Sequence, residues 1–150
     1  MPKIRITKEF GFESSHALKN YDGLCRNIHG HSYKLFVTVS GDIREERGHP
    51  KDGMVMDFGE LKNIVYQEIV IPYDHSLILN EEVSAEAKES YRKITERLIF
   101  TPFQPTCENL VRHFASLIKK HLPEHIRLVS VKLFETPSSS AEWCEEDNCC

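Results

Sequence analysis

The residue types best suited to chemistry lie near the start of the chain, where a cysteine and three histidines are closely spaced. The segment Cys25-Arg-Asn-Ile-His29-Gly-His31 contains a thiol and two imidazoles, and His16 precedes it. Because alternate residues of a strand point to one face, His29 and His31 can reach the same ion. Three neutral imidazoles are the ligand set of a zinc site that keeps one coordination position open. The spacing therefore favours a metal site over three unrelated histidines.

Cys25 lies in a polar segment, Tyr21-Asp-Gly-Leu-Cys25-Arg-Asn, whereas structural cysteines usually lie in apolar runs. Three roles stay open for its thiol. It can act as an acid, base or nucleophile beside the metal. It can also be a fourth ligand that closes a structural zinc site, or an inert, half-exposed thiol.

Asp74-His75 follows the first predicted helix, and a carboxylate beside an imidazole suits acid–base chemistry. Adjacent side chains seldom bond each other, so we expect the pair to act through a third group such as Cys25. The alternative is an ordinary helix end.

Glu135 ends the last predicted strand. Its carboxylate suits an N–C–N–H edge of a heterocycle, to which it can make two charge-assisted hydrogen bonds, unless it lies on a solvated edge. Thr106 and Glu108, at the start of a predicted helix, offer further polar contacts.

The composition is that of an ordinary soluble domain, and it limits the classes of partner. The chain has 150 residues, 40% of them hydrophobic and 28% charged, with a net charge of −4. This predicts a single domain over 1–150 and disfavours nucleic acid or an anionic membrane as a partner. No apolar run approaches a membrane span, and the N-terminus has no signal-peptide pattern. Five irregularly spaced cysteines do not resemble a disulfide framework, so we expect a reducing cytoplasm.

Hydrophobic periodicity predicts the elements that position these side chains. Alternation predicts a first strand from Lys3 to His16, a second over residues 31–40, a short one over 97–100 and a last one over 126–135. Helical spacing predicts one helix over 58–70, ended by Pro72, and a second after the N-cap Thr106. Residues 84–97 are ambiguous between helix and ordered loop. The order predicts an α+β fold, with an antiparallel sheet that carries helices on one face.

The C-terminal segment is acidic and rich in cysteine. We expect it to be mobile from about residue 143, with Cys144, Cys149 and Cys150 as solvated thiols.

Six motifs occur in the order seen in the 6-pyruvoyl-tetrahydropterin synthase / 6-carboxy-tetrahydropterin synthase family, and the chain resembles that family over about residues 4–143. The motifs are Phe12-Glu-Ser-Ser-His16, Cys25-x-x-x-His29-Gly-His31, Gly53-Met-Val-x-Asp57-Phe58, Asp74-His75 with Leu79-Asn80, Pro105-Thr-x-Glu108-Asn109 and Glu135-Thr-Pro. The resemblance implies the tunnelling fold, a four-stranded antiparallel sheet with two helices on one face. It also implies that trimers close a twelve-stranded barrel and that two trimers commonly stack as a hexamer.

The resemblance also assigns roles to individual residues. It implies that the metal is Zn²⁺ and that its ligands are His16, His29 and His31. It implies that Cys25 is the proton-abstracting thiol, and that Asp74 and His75 form a relay contributed by a neighbouring subunit. The substrate-binding residues that it implies are Glu135, which anchors the amino-pyrimidine edge of the pterin, and the pocket-lining Thr106, Cys107 (through its backbone) and Glu108.

The implied substrate is 7,8-dihydroneopterin triphosphate. The three-residue gap between Cys25 and His29 resembles the bacterial 6-carboxy enzymes of queuosine biosynthesis, whereas the animal pyruvoyl enzymes carry a longer gap. We therefore expect a zinc-dependent lyase that forms 6-carboxy-5,6,7,8-tetrahydropterin and releases acetaldehyde and triphosphate. The first alternative is the 6-pyruvoyl reaction. An aldolase-like member is disfavoured, because no glutamate lies over 21–31.

A further alternative is a non-catalytic binding module stabilised by a closed zinc site of Cys25 and the three histidines.

Two departures from the bacterial pattern bear on the choice of substrate. One additional residue precedes Leu79-Asn80, and the segment 81–104 is longer than in compact bacterial members.

Overall fold

Two long strands form the centre of the sheet and carry all three candidate metal-binding histidines. The computed structural model describes residues 2–149. Strand β1 spans Ile4–His16 and β2 spans His29–Gly41. The two strands pair antiparallel over their whole length, so that His16 lies opposite His29. Apolar and polar residues alternate in both strands, and the apolar face is buried in the core.

Four shorter strands complete the sheet, whose order is β4-β3-β1-β2-β5-β6. They are β3 (Ser76–Asn80), β4 (Leu98–Thr101), β5 (Arg127–Thr136) and β6 (Ser139–Cys144). Neighbouring strands are antiparallel except β1–β3 and β3–β4, which are parallel. The expected four-stranded antiparallel sheet is therefore corrected to a mixed sheet of six strands. Strand β3 was not predicted, because its first four residues are all buried and show no alternation.

Two helices cover the apolar face of the sheet. Helix α1 (Phe58–Val65) begins at Asp57, whose side chain accepts a hydrogen bond from the Gly59 N–H at 2.7 Å. It continues through a π-helical turn, Tyr66–Val70, into α2, Ile71–Tyr73. Helix α4 (Cys107–His121) begins at the predicted cap Thr106. The core lies between these helices and the sheet.

The ambiguous stretch over 84–97 contains a helix, α3 (Ala85–Ile94), and the predicted strand over 97–100 is confirmed as β4. Helix α3 buries none of its residues, which explains why its sequence carries no clear apolar stripe. No helix among residues 2–149 has the length and apolar character needed to cross a bilayer.

The C-terminal segment continues the fold beyond the strand that the sequence predicted to be the last. Strand β6 pairs with β5, and a short helix, α5 (Glu145–Asn148), follows it. Glu145 is buried, and both of its carboxylate oxygens accept hydrogen bonds from Lys119 Nζ, at 2.8 and 3.0 Å. Cys144 is half-buried and Cys149 is exposed, while Cys150 lies outside the described residues. The segment for which we expected mobility thus forms a strand and a helix.

Candidate active site

The three histidines predicted to bind a metal lie together at one end of the sheet. One ring nitrogen from each of His16, His29 and His31 can be chosen so that all three lie within 4.8 Å of one another. His16 is buried and the other two are half-buried. The antiparallel pairing places His16 opposite His29, and the strand period brings His31 onto the same face. The predicted spacing therefore brings the three imidazoles together.

Backbone carbonyls orient two of the three rings. His16 Nδ1 lies 2.6 Å from the Pro105 carbonyl oxygen, and His29 Nδ1 lies 2.7 Å from that of Asn27. Because a carbonyl only accepts hydrogen bonds, both rings carry their proton on Nδ1 and present a bare Nε2. These two Nε2 atoms lie 3.0 Å apart. Two lone pairs that face each other at this distance repel, and a cation between them relieves the repulsion. The arrangement is the one found around ligating histidines.

The third ring completes the donor set. His31 Nε2 is buried and has no hydrogen-bond partner among the described residues. Burial lowers the pKa of His16 and of His31, which favours the neutral form that binds metals. Glu135 Oε1 lies 3.4 Å from His16 Nε2 and 3.5 Å from His31 Nε2. The residues present therefore fit a divalent cation with three imidazole ligands, and a carboxylate lies beside it.

Cys25 lies outside this cluster of ligand atoms. It belongs to a single 3₁₀ turn, Leu24–Arg26, in the irregular segment that joins β1 to β2, and it is half-buried. The segment is attached to the rest of the chain by Lys19, whose N–H donates to Gln104 Oε1 at 3.0 Å. The closed four-ligand site, one of the alternatives for Cys25, is not formed by the described residues.

Asp74 and His75 bond to each other directly. His75 Nδ1 lies 2.9 Å from Asp74 Oδ2, and Asp74 Oδ1 accepts a hydrogen bond from the Glu13 N–H at 2.9 Å. The bond from Glu13 is the main cause that lowers the pKa of Asp74. We expected that adjacent side chains would not bond each other and that the pair would need a third group. The direct bond between Asp74 and His75 shows that this expectation is wrong. His75 has the left-handed φ of 58°, a backbone conformation that is unusual for a residue with a side chain.

His75 and His31 line the same cavity, whose volume is about 580 Å³. Its walls also include Glu13 and Ser32 from the central strands and Thr95 after α3. With Nδ1–H bonded to Asp74, His75 keeps Nε2 free to accept a proton. A group that can move protons and a candidate metal ligand therefore share one cavity within a single chain.

The residues predicted to bind substrate lie at the start of α4 and the end of β5. The Thr106 hydroxyl caps α4 by accepting from the Asn109 N–H at 3.2 Å. The Cys107 thiol is buried and donates to the Leu133 carbonyl at 3.2 Å. Burial, and then the charge of Glu135, raise the pKa of Cys107 to about 11, so its thiol is neutral. Glu108 is exposed on the first turn of α4.

Glu135 also lines a second cavity, of about 530 Å³, together with His31, Lys34 and Phe134. Its carboxylate therefore contacts both the histidine cluster and an open cavity. This position suits the anchoring of a ligand next to a metal.

Sequence reasoning missed several groups at the site. The carbonyls of Pro105 and Asn27 orient the imidazoles, but a backbone group has no side-chain signal. Tyr33 is fully buried beside His31, with ring centroids 5.6 Å apart, and its hydroxyl has no partner among the described residues. Its position two residues after His31 on the same strand face was the one available signal.

The fold places the chain in a known structural class. A solved Caenorhabditis elegans structure described as 6-pyruvoyl tetrahydropterin synthase matches with a TM-score of 0.67 at 23% identity and covers 96% of each chain. A solved Wolinella succinogenes protein described as uncharacterized matches with a TM-score of 0.72 at 21% identity, covering 97% of this chain and 99% of that one. These likenesses establish the fold.

The family follows from the sequence comparison. The family profile described as 6-pyruvoyl tetrahydropterin synthase matches residues 5–146, and the chain belongs to this family. A Haemophilus influenzae relative named 6-carboxy-5,6,7,8-tetrahydropterin synthase is 36% identical, and the match covers 95% of this chain and 99% of the relative. An Aquifex aeolicus relative of the same name is 34% identical, and the match covers 96% of this chain and 99% of the relative. The predicted family, and with it the prediction of an enzyme, is confirmed.

Proposed function

We propose that this enzyme is a zinc-dependent lyase that converts 7,8-dihydroneopterin triphosphate to 6-carboxy-5,6,7,8-tetrahydropterin, with release of acetaldehyde and triphosphate. The observation that carries the proposal is the cluster of three imidazoles, with Cys25 outside it and His75 on the same cavity. The atoms balance with uptake of water. The bond between the first and second side-chain carbons breaks, so that the first becomes the carboxylate and the other two leave as acetaldehyde. The electrons released reduce the ring and the carbon that loses triphosphate, so no external oxidant is needed.

His16, His29 and His31 would hold the metal. Three neutral nitrogen ligands are typical of catalytic zinc, because they leave one position for a substrate oxygen. When bound, Zn²⁺ supplies Lewis acidity to the vicinal hydroxyls of the substrate side chain. The carbonyls of Pro105 and Asn27 hold two of the rings with Nε2 directed at one another, so the site is oriented before the metal binds.

Glu135 would anchor the pterin. The ring N–H and the exocyclic amino group of the pterin are adjacent donors, and a carboxylate can accept from both. Glu135 lies within 3.5 Å of two of the candidate ligands, His16 and His31. A pterin ring anchored by Glu135 would therefore hold the side chain of the substrate against the metal. The backbone of Thr106 and Cys107, at the start of α4, would line the same pocket. Glu108 would add a polar contact at its rim.

Proton transfer would fall to Cys25 and to the Asp74–His75 pair. His75 can accept a proton from the substrate at Nε2, because Asp74 holds its other nitrogen protonated and stabilises the resulting imidazolium. Cys25 would abstract the side-chain proton through its sulfur as a thiolate. Cys25 lies on an irregular segment, so we propose that substrate binding brings the Cys25 thiol to the side chain of the substrate.

The choice of the 6-carboxy product over the 6-pyruvoyl product rests on the relatives and on the Cys25–His29 gap. The relatives named 6-carboxy-5,6,7,8-tetrahydropterin synthase are 36% and 34% identical, whereas the C. elegans structure named for the pyruvoyl reaction is 23% identical. The pyruvoyl reaction stays as the second candidate, because the family description carries its name. It differs by eliminating triphosphate without breaking the carbon–carbon bond.

We further propose that the product enters 7-deazaguanine (queuosine) biosynthesis and that the enzyme acts in the cytoplasm as a trimer or a dimer of trimers. The four cysteines among residues 2–149 are free thiols, which suits a reducing compartment. Large apolar side chains lie exposed around the Cys25 segment and the end of α3, including Leu24 at 84% and Ile94 at 78% exposure. Such exposure is suited to contact between subunits. No nucleic acid or membrane is part of the proposal.

Product analysis tests the proposed function. The zinc-loaded protein is incubated with 7,8-dihydroneopterin triphosphate, and pterins and acetaldehyde are measured by mass spectrometry. We expect 6-carboxytetrahydropterin and acetaldehyde in equal amounts. A 6-pyruvoyl product without acetaldehyde would establish the second candidate instead. Absence of any turnover by the zinc-loaded protein would overturn both.

A further inference from the structure

Segment 81–104 places an arginine against the Asp74–His75 pair. Arg97 lies directly before β4, and its guanidinium donates to three backbone carbonyls. Its Nε donates to the Asp74 carbonyl at 3.0 Å, and its Nη2 donates to Pro72 at 3.3 Å and to Ile71. One cationic side chain thus binds the backbone of the segment that leads into the pair.

These carbonyls need an outside partner. They lie at the end of the helical segment that closes with α2, where the last carbonyls lack intrahelical donors and carry partial negative charge. A planar guanidinium can donate to several carbonyls at once in a fixed geometry. A lysine ammonium on its flexible stem imposes less geometric constraint on the carbonyls to which it donates. The backbone of Arg97 also contributes, because its carbonyl accepts from the Leu77 N–H at 2.9 Å. Arg97 is therefore bonded to the chain on both sides of the Asp74–His75 pair.

The backbone of His75 depends on such contacts. Its left-handed φ of 58° is unfavourable for a residue with a Cβ and persists only where the surroundings determine it. On the β1 side, the Glu13 carbonyl accepts from the His75 N–H at 2.6 Å, and the Glu13 N–H donates to Asp74. On the side of the pair away from β1, the guanidinium and the backbone carbonyl of Arg97 supply the contacts. Arg97, Asp74 and His75 also line one cavity of about 450 Å³.

We propose that Arg97 is a positioning residue that fixes the backbone of the Asp74–His75 pair and so directs His75 Nε2 toward the substrate. The proposal rests on the proposed function in that His75 is taken as the proton-transfer group. The same segment contributes Ile94 and Thr95 to the cavity shared by His75 and His31. The segment therefore both bounds the site and holds one of its acid–base groups.

Substitution of Arg97 tests the proposal, with Arg92 as the matched control. Arg92 is an exposed arginine of the same segment that contacts Glu89 and Phe100 instead of the pair. We expect Arg97→Ala to lower kcat about ten- to a hundredfold, because small misplacements of a catalytic group carry such costs, with KM changed by less than about twofold. Zinc content should not change. Arg97→Lys should keep an intermediate kcat, and Arg92→Ala should match the unaltered enzyme.

Chemical rescue separates positioning from general damage. Added guanidinium ion, at concentrations that leave the fold intact by circular dichroism, should restore part of the kcat of Arg97→Ala and should not raise that of Arg92→Ala. A wild-type kcat for Arg97→Ala would overturn the proposal. So would an equal loss of kcat in Arg92→Ala.

A measurement without turnover keeps this inference distinct from the proposed function. Nitrogen NMR of ¹⁵N-histidine-labelled protein reports the tautomer of His75, which Asp74 should hold as Nδ1–H. We expect Arg97→Ala to shift the His75 signals toward a mixture of tautomers and Arg92→Ala to leave them unchanged. Identical His75 signals in Arg97→Ala and the wild type would overturn this inference alone. Failure of the wild type to turn over the substrate, with the NMR shift observed, would overturn only the proposed function.

Discussion

The two halves of the candidate site are built in different ways. The histidine cluster lies on two paired strands, where the register fixes His16 opposite His29 and the strand period fixes His31. The proposed proton-transfer residues, Cys25 and His75, lie on irregular segments between elements. Their positions depend on contacts with distant parts of the chain. The ligand set therefore depends mainly on strand pairing, with one long-range bond from His16 to the Pro105 carbonyl, whereas the acid–base groups depend mainly on long-range contacts.

The difference between the histidine cluster and the proton-transfer residues has a functional explanation. A metal site gains affinity from ligands that are already oriented, and a rigid sheet provides this at no further cost in conformational entropy. Cys25, which we propose to approach the substrate after it binds, suits a segment with few buried contacts, whereas His75 is held by contacts with Glu13 and Arg97. We expect damage to the two halves to separate into loss of metal and loss of turnover.

Removal of one ligand should have the largest effect. His29→Ala should lower zinc affinity by more than about a hundredfold and reduce activity to background, because two imidazoles leave the ion exposed to competing water. His125→Ala, an exposed histidine away from the cluster, is the control and should keep full zinc. Zinc per subunit after dialysis is measured by mass spectrometry. Stoichiometric zinc in His29→Ala would show that the metal lies elsewhere.

Removal of the thiol should abolish turnover without removing the metal. Cys25→Ala should lower kcat about a hundred- to ten-thousandfold, the usual contribution of a positioned proton-transfer group, with zinc unchanged. Loss of zinc together with unfolding in Cys25→Ala would instead favour the binding module with a closed four-ligand site.

The subunit that supplies His75 can be found by mixing two inactive variants. If the relay comes from a neighbouring subunit, mixed oligomers of Cys25→Ala and His75→Ala contain some interfaces at which both residues are intact. Random assembly should then recover about a quarter of wild-type activity. If both residues act within one chain, as the cavity shared by His31 and His75 allows, mixing should recover none. The measurement is activity after joint unfolding and refolding of equal amounts.

Substitution of the anchor should affect binding more than chemistry. Glu135→Gln should raise KM about ten- to a hundredfold, because an amide cannot accept two hydrogen bonds from the pterin with the strength of a carboxylate. Zinc content should stay at that of the wild type. Glu142→Gln, an exposed glutamate of β6, is the control. Loss of zinc in Glu135→Gln would make this carboxylate, which lies within 3.5 Å of two imidazoles, a metal ligand.

Much of this site followed from the sequence, and the parts that did not follow have physical reasons. The spacing of His29 and His31 and the helix caps Asp57 and Thr106 are local patterns, and the structure agrees with them. Parallel strand β3 was missed because a fully buried strand has no alternation. The direct Asp74–His75 bond was missed because it occurs together with a left-handed backbone at His75, which distant residues hold in place.

The C-terminal segment should show the smallest effect, through pH. The hydrogen bonds from Lys119 hold the pKa of Glu145 below its ordinary value of 4.5. A lowered folded-state pKa stabilises the fold above the unfolded value, and this contribution is lost as the pH falls through the folded value. Glu145→Gln should therefore lower Tm slightly at pH 7, and the difference should vanish well below pH 4.5. Glu146→Gln, its exposed neighbour, should leave Tm unchanged at both pH values. A Glu145→Gln deficit that persists in acid would contradict the ion-pair origin.

X-ray absorption at the zinc edge tests whether the Cys25 thiol stays off the metal. On the zinc-loaded enzyme without substrate, we expect three imidazole nitrogens and one oxygen at about 2.0–2.1 Å, with no sulfur. The spectrum of Cys25→Ala should be identical. A sulfur scatterer at about 2.3 Å that disappears in Cys25→Ala would contradict the account, because it would make Cys25 a ligand and the site a closed one.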